Sequence, residues 1–127
     1  DFTASFFARS PHGYKIRQHT GSALDIAPAL SKSFDLVFID GDKREYPDYY
    51  RMLMGDGRWA ESGALVHSGS YILADNILWY GKVVEPVKSG DAQTKAILEF
   101  NEMVAADKRV ENVIVPLRDG LNLIRVL

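Results

Sequence analysis

The segment Phe34-Asp-Leu-Val-Phe-Ile-Asp-Gly-Asp-Lys43 sets two carboxylates and an ammonium directly after an apolar run, Leu36 to Ile39. Groups of that kind, held together, can grip a cation and move a proton. A second stretch, Tyr71-Ile-Leu-Ala-Asp-Asn76, repeats the design with a short apolar run followed by Asp75 and Asn76. Asp40, Asp75 and Asn76 then offer three hard oxygen donors, a set better matched to Mg²⁺ or Ca²⁺ than to Zn²⁺. Lys43 stands three residues past Asp40 and can pair with a carboxylate or act as a general base. Each feature alone has a plainer reading. Charged residues are common where strands exit into loops, Asx residues start turns, and a lysine is ordinarily solvated. Two strand-end Asx sites in one chain favour a functional rim over those plainer readings.

For that rim to exist, the apolar runs must be strands. Leu36 to Ile39 reads as a buried strand of a parallel sheet, covered on both faces and therefore without alternation. Tyr71 to Ala74 is the next strand. In open α/β sheets, ligands bind just beyond the carboxyl ends of the strands, which is where Asp40 and Asp75 fall. Helices are expected at residues 2–9, at 22–30 (short or irregular because of Pro28), at 46–54 with Pro47 in the first turn, and at 91–106. The last has Ala92, Ala96, Ile97, Phe100, Met103 and Val104 on one face and Asp91 as N-cap. Tyr14 to His19 is a short strand candidate. Val110 to Pro116 and Leu121 to Leu127 read as strands joined by Leu117-Arg-Asp-Gly120, a hairpin signal. The fold class expected is α/β: a partial Rossmann-like arrangement with helices on both faces of a mostly parallel sheet, closed by a C-terminal antiparallel hairpin.

Composition bounds the function. The chain has 127 residues, 46% hydrophobic and 25% charged, enough for one globular domain. A net charge of −2 gives no broad attraction to nucleic acid or to an anionic membrane. No apolar run approaches the roughly 20 residues that span a bilayer. There is no cysteine, so neither a disulfide framework nor a thiolate metal site is available, in keeping with a cytoplasmic protein. His12, His19 and His67 lack ligand spacing, and no glycine-rich phosphate loop is present. Trp79 and Tyr80 follow Asn76 in a loop; an aromatic there either walls a flat substrate or packs on the last helix.

Four segments, in order, resemble the cation-dependent O-methyltransferases, the family of caffeoyl-CoA and catechol O-methyltransferases. They are Gly21-Ser-Ala-Leu-Asp-Ile-Ala-Pro28, Phe34 to Tyr46, Ile72-Leu-Ala-Asp-Asn-Ile-Leu-Trp-Tyr-Gly81, and Asp119-Gly-Leu-Asn-Leu-Ile-Arg125. The resemblance covers nearly the whole chain. It implies S-adenosylmethionine-dependent methyl transfer to a hydroxyl of a catechol-like vicinal diol, a small aromatic acceptor. Asp40, Asp75 and Asn76 would be the ligands of Mg²⁺, or of Ca²⁺ or Mn²⁺. Lys43 would be the catalytic proton acceptor, Ala23 and Asp40 would contact the cofactor, and Trp79 would border the acceptor.

Two departures from the family pattern carry further expectations. The family's glycine-rich cofactor loop has no counterpart here, and the chain does not begin with Met. It resembles the C-terminal part of a methyltransferase, a single domain over 1–127. An uncovered sheet edge would follow, and with it a homodimer or higher assembly. Residues 55–70 read as an insertion in which His67-Ser-Gly-Ser70 replaces a Pro-Gly-Gly turn. Two other functions compete. Asp40-Gly-Asp42 also fits the cation motif of a sugar-nucleotide transferase, and a self-associating fragment without catalysis fits the missing cofactor loop.

Overall fold

The computed structural model describes residues 2–30 and 32–127. Its helices are α1 (Phe2–Arg9), α2 (Ala23–Ala29), α3 (Tyr46–Met54) and α4 (Ala92–Ala106). Its strands are β1 (Phe34–Ile39), β2 (Val66–Asp75), β3 (Val110–Val115) and β4 (Leu121–Val126). They form one sheet in the order β1-β2-β4-β3. β1 and β2 are parallel, and β4 runs antiparallel to both β2 and β3. Three of the four strands therefore share one direction, and the hairpin supplies the reversed strand, as the alternation of elements predicts.

Local chemistry explains the helices that matter. Asp42 accepts from the backbone N–H of Arg44 and starts a 3₁₀ turn, Lys43–Glu45, that runs straight into α3. Pro47 sits in the first turn of α3, where its missing N–H costs nothing. Gly55 ends α3 in the left-handed conformation (φ 71°), and a Cβ there would meet the Ala64 backbone nitrogen at 2.7 Å. Asp91 caps α4 as the sequence predicts, accepting from the Thr94 N–H at 3.0 Å and the Thr94 hydroxyl at 2.7 Å. Ala96, Ile97, Phe100 and Val104 of α4 are buried. Ala92 of the expected apolar face is exposed; Thr94, drawn inward by the cap, is buried in the same turn.

The core lies on one side of the sheet. Ile39, Ile72, Ala74, Ile124 and Val126 face Tyr50, Leu53, Ile97, Phe100 and Val104 of the helices. Phe100 meets Tyr46 and Tyr50 edge-on, at ring-centroid distances of 5.5 and 6.0 Å. The opposite sheet face is open. Leu36 and Phe38 are 60% and 56% exposed, and Tyr71 and Val113 are exposed beside them. This corrects the expectation of a strand covered on both faces. With helices on one side only, β1 alternates between exposed Leu36 and Phe38 and covered Val37 and Ile39.

Tyr14 to His19 forms no strand. Gly13–Lys15 is a 3₁₀ turn packed on α1, Tyr14 is exposed, and no neighbouring strand offers a ladder to pair with. Residues 55–70 hold a short 3₁₀ turn, Gly57–Trp59, and the start of β2. Trp59 is buried, and its indole N–H donates to the Leu24 carbonyl at 3.4 Å. His67 to Ser70 lie inside β2 as an irregularity opposite β1. Between Phe34↔Val66 and Leu36↔Tyr71, β2 advances five residues while β1 advances two. Ser70 closes that bulge by donating to the Phe34 carbonyl at 2.7 Å and accepting from the His67 N–H at 3.0 Å.

Candidate active site

β1 and β2 deliver Asp40 and Asp75 to the same rim. Ile39 pairs with Ala74 in register, so each aspartate is the next residue along its strand. Gly41 follows Asp40, and a Cβ there would lie 2.7 Å from the Tyr49 hydroxyl, so the chain passes close under α3. Lys43 is buried, 7% exposed, yet its ammonium is partnered. It donates to Asp40 Oδ1 at 3.2 Å and to Tyr46 Oη at 2.5 Å. Tyr46 Oη in turn donates to the Asp75 carbonyl at 2.9 Å, with the Ile39 carbonyl at 3.2 Å. A continuous polar chain thus runs from the Asp40 carboxylate through Lys43 and Tyr46 to the backbone of Asp75. It ties the ends of β1 and β2 together. Burial first, then the negative charges of Asp40 and Asp75, push the Tyr46 phenol well above its ordinary range, so it stays protonated.

Asp75 Oδ1 accepts from the Asn76 N–H at 2.8 Å. Asn76 has φ +61°, and Trp79, Tyr80 and Arg118 have φ +46°, +56° and +53°. These four are the non-glycine residues in the left-handed region among the described residues. They occupy two loops that cross: the Ile77 and Leu78 N–H groups donate to the Gly120 and Asp119 carbonyls at 3.2 and 2.9 Å. The Asp119 carboxylate accepts from the Tyr80 N–H at 2.6 Å, and Asn101 of α4 donates to the Ile77 carbonyl at 2.9 Å. Gly120 is required at this crossing, because a Cβ would lie 2.4 Å from Leu78 Cγ and φ is +83°. Backbone strain held in place by neighbouring structure is a mark of functional loops.

Two cavities flank the rim. One, of about 490 Å³, is lined by Ala23, Phe34, Ile39, Asp40 and Tyr49 among others, and brings Ala23 and Asp40 onto one surface. The other, of about 770 Å³, is lined by Asp75, Asn76, Leu78, Tyr80, Val83, Val84, Arg118 and Asp119, together with Gly81. Trp79 is half-buried against the core and does not line it; exposed Tyr80 does. In donor chemistry the rim fits a hard divalent cation: two carboxylates and one amide oxygen. Among the described residues no group of three or more His, Cys, Asp and Glu is arranged to hold a metal, so the amide of Asn76 is needed to complete a set of three. Asp42 is committed elsewhere. Arg44 holds its carboxylate through side chain and backbone and pulls it down to about 2. His67 pairs with Asp35 at 3.0 Å and stands apart from the rim.

Sequence reasoning gave no role to Tyr46, Asn101, Arg118 or Asp119. The i, i+3, i+6 spacing of Asp40, Lys43 and Tyr46 was the one available signal for the first. Arg118 and Asp119 lie in a turn that the sequence marks as a hairpin, but the crossing of that turn with residues 76–80, and the reach of Asn101 to Ile77, carry no local pattern.

A cofactor-type rim at the carboxyl ends of adjacent strands defines an α/β protein of the Rossmann-like class. Within it, the chain belongs to the O-methyltransferase family, whose model matches residues 1–127. It is 36% identical over 124 residues to caffeoyl-CoA O-methyltransferase 1 of Eucalyptus globulus, with 87% of this chain and 46% of that protein covered. It is 32% identical over 127 residues to the caffeoyl-CoA O-methyltransferase of Petroselinum crispum, covering 89% and 48%. The fold matches the O-methyltransferase TomG of Streptomyces achromogenes, solved in complex with SAM, at a TM-score of 0.80 and 30% identity, over 97% of this chain and 55% of that one. The chain therefore spans about half the length of these relatives. Among the described residues no helix is long and apolar enough to cross a membrane.

Proposed function

We propose that this chain carries the acceptor and proton-transfer half of an S-adenosylmethionine-dependent, divalent-cation-dependent O-methyltransferase acting on a vicinal aromatic diol. The observation that carries the reading is the polar chain Asp40–Lys43–Tyr46–Asp75, buried at Lys43 and Tyr46 and open at Asp40, which fixes a basic group at the rim where two strand ends meet. Family membership and the SAM bound to TomG support the cofactor assignment.

In this reading Asp40, Asp75 and Asn76 would hold a divalent cation, which would supply positive charge favouring the ionised form of the diol. Ala23 and Asp40, which line one cavity, would hold S-adenosylmethionine, which would supply an electrophilic methyl group on sulfur. Lys43, as the amine, takes the proton of the attacked hydroxyl. The oxygen forms a bond to the methyl carbon as the carbon–sulfur bond breaks, and that electron pair stays on the departing neutral thioether. Tyr46 directs a lone pair at Lys43, because its own proton points to Asp75, and so orients the base. Tyr80, Leu78 and Val83 give the acceptor ring an apolar wall, and Trp79 braces that loop from behind. The sugar-nucleotide alternative loses support from Asp42, whose carboxylate is occupied by Arg44.

The deciding experiment is methyl transfer from S-adenosylmethionine to catechol by the full-length protein, with and without a chelator. Turnover that a chelator leaves untouched removes the cation from the reading; no turnover with any vicinal diol removes the acceptor class.

Self-association is a second part of the proposal. β1 is an edge strand beside the open face bearing Leu36 and Phe38, a surface that pairs readily with another chain. Sedimentation that finds only monomer would reject it.

A further inference from the structure

One carbonyl in α2 lacks the donor that a helix ordinarily gives it. Pro28 lies inside α2 and has no backbone N–H, so the Leu24 carbonyl one turn earlier loses its α-helical partner. The indole N–H of Trp59 takes that place, donating to the Leu24 carbonyl at 3.4 Å in the protein interior. Trp59 comes from residues 55–70, the stretch that reads as an insertion in the family pattern. It is 6% exposed, and the Arg58 guanidinium lies 4.2 Å above its ring. Its loop is fixed from two sides. The Asp56 N–H donates to the Arg51 carbonyl of α3 at 2.8 Å, and the Asp56 carboxylate receives both arms of the Arg109 guanidinium at 2.9 and 2.6 Å. α2 itself is weak: seven residues, no side-chain cap from Ser22, and a proline inside. So short a helix does not hold its shape alone in water, and its position is set by what it packs on.

That position matters because Ala23 and Ala27 of α2 line the cavity of about 490 Å³ that also bears Asp40. Trp59 is not among the residues that line it, so any effect it has there passes through Leu24. We propose that Trp59 is a positioning residue for the cofactor: it replaces the hydrogen bond that Pro28 removes and so holds Ala23 and Ala27 at the cavity wall. This rests on the methyltransferase reading and gives the 55–70 segment a part in it. A wall that drifts when the bond is lost lowers the fraction of molecules ready to bind, and apparent affinity falls with that fraction.

The test measures S-adenosylmethionine binding by calorimetry, and methylation of catechol, in the full-length protein. Trp59→Phe keeps an aromatic ring and removes the N–H. It should weaken S-adenosylmethionine binding about 3- to 10-fold, the range of one buried hydrogen bond. KM for catechol, and kcat at saturating cofactor, should hold. Pro28→Ala gives the Leu24 carbonyl a backbone donor again. The double variant of Pro28→Ala with Trp59→Phe should therefore fold and bind as tightly as Pro28→Ala alone. Unchanged cofactor affinity in Trp59→Phe overturns the assignment, and so does a KM for catechol that rises as much as the cofactor Kd. A double variant that stays unfolded or still binds weakly overturns it too, and this arm decides the matter even where Trp59→Phe alone fails to fold. An unaltered protein that binds no S-adenosylmethionine overturns the methyltransferase reading and this one with it.

Discussion

The Lys43 ammonium donates to the phenol oxygen of Tyr46 at 2.5 Å inside the protein, and Tyr46 passes its own proton on to the Asp75 carbonyl. One hydroxyl thus orients a candidate base and locks together two strand ends that are 35 residues apart in the chain. Tyr46→Phe keeps the ring against Phe100 but leaves Lys43 one acceptor short and the Asp75 carbonyl without its donor. The expected loss of stability is about 1–3 kcal/mol, read from the urea midpoint. An unchanged midpoint would show that the hydroxyl does not couple the strands.

Replacing the base tests the chemistry apart from the fold. Lys43→Ala in the full-length protein should lower the methylation rate by about 10²- to 10⁴-fold. A rate profile that overlays the unaltered protein at every pH would refute the assignment.

Cation binding is the third test. Loss of a group behind a metal ligand weakens affinity about 10- to 100-fold, so loss of a ligand itself should cost at least that much. Divalent-cation titration of Asp75→Ala and of Asn76→Ala is expected to show a drop of roughly tenfold or more in each. Affinity unaltered by Asp75→Ala would take that residue out of the site.

The loop crossing predicts an effect at a distance from the rim. Gly120→Ala forces a Cβ against Leu78 and a left-handed alanine, costing about 1–3 kcal/mol of strain. Because Leu78 leads into Tyr80, the variant should also raise KM for the acceptor. A destabilised protein with unchanged KM would mean that the crossing supports the fold alone.

Acid stability has an identifiable source. Asp107 receives the Arg109 guanidinium and the Tyr50 hydroxyl, and chiefly the Arg109 contact draws its carboxyl from 3.8 down to about 2. The folded value lies below the unfolded one. The stabilisation is therefore complete above the ordinary carboxyl value and is lost as pH falls from about 4 toward about 2. Asp107→Asn should flatten the dependence of the urea midpoint on pH in that window; an equally steep decline would place the acid sensitivity elsewhere.

Much of this protein is written in runs of neighbouring residues. The apolar stretches before Asp40 and Asp75, Pro47 at the head of α3, Asp91 at the head of α4 and Asp119-Gly120 between the last strands each act over one turn or one strand. Short-range sterics and hydrogen bonding therefore fix them wherever the rest of the chain goes. The hard-oxygen character of Asp40, Asp75 and Asn76 is likewise a property of residue type.

What the tertiary structure decided is every relation that crosses the sheet or joins two loops. Sheet register put Tyr46 between Lys43 and Asp75. Helices gathered on a single face left Leu36 and Phe38 open and turned a run expected to be buried into an alternating strand. The crossing of residues 76–80 with 118–120 set Tyr80 and Arg118, rather than Trp79, on the cavity wall. These outcomes depend on pairing partners tens of residues away, which local pattern does not encode.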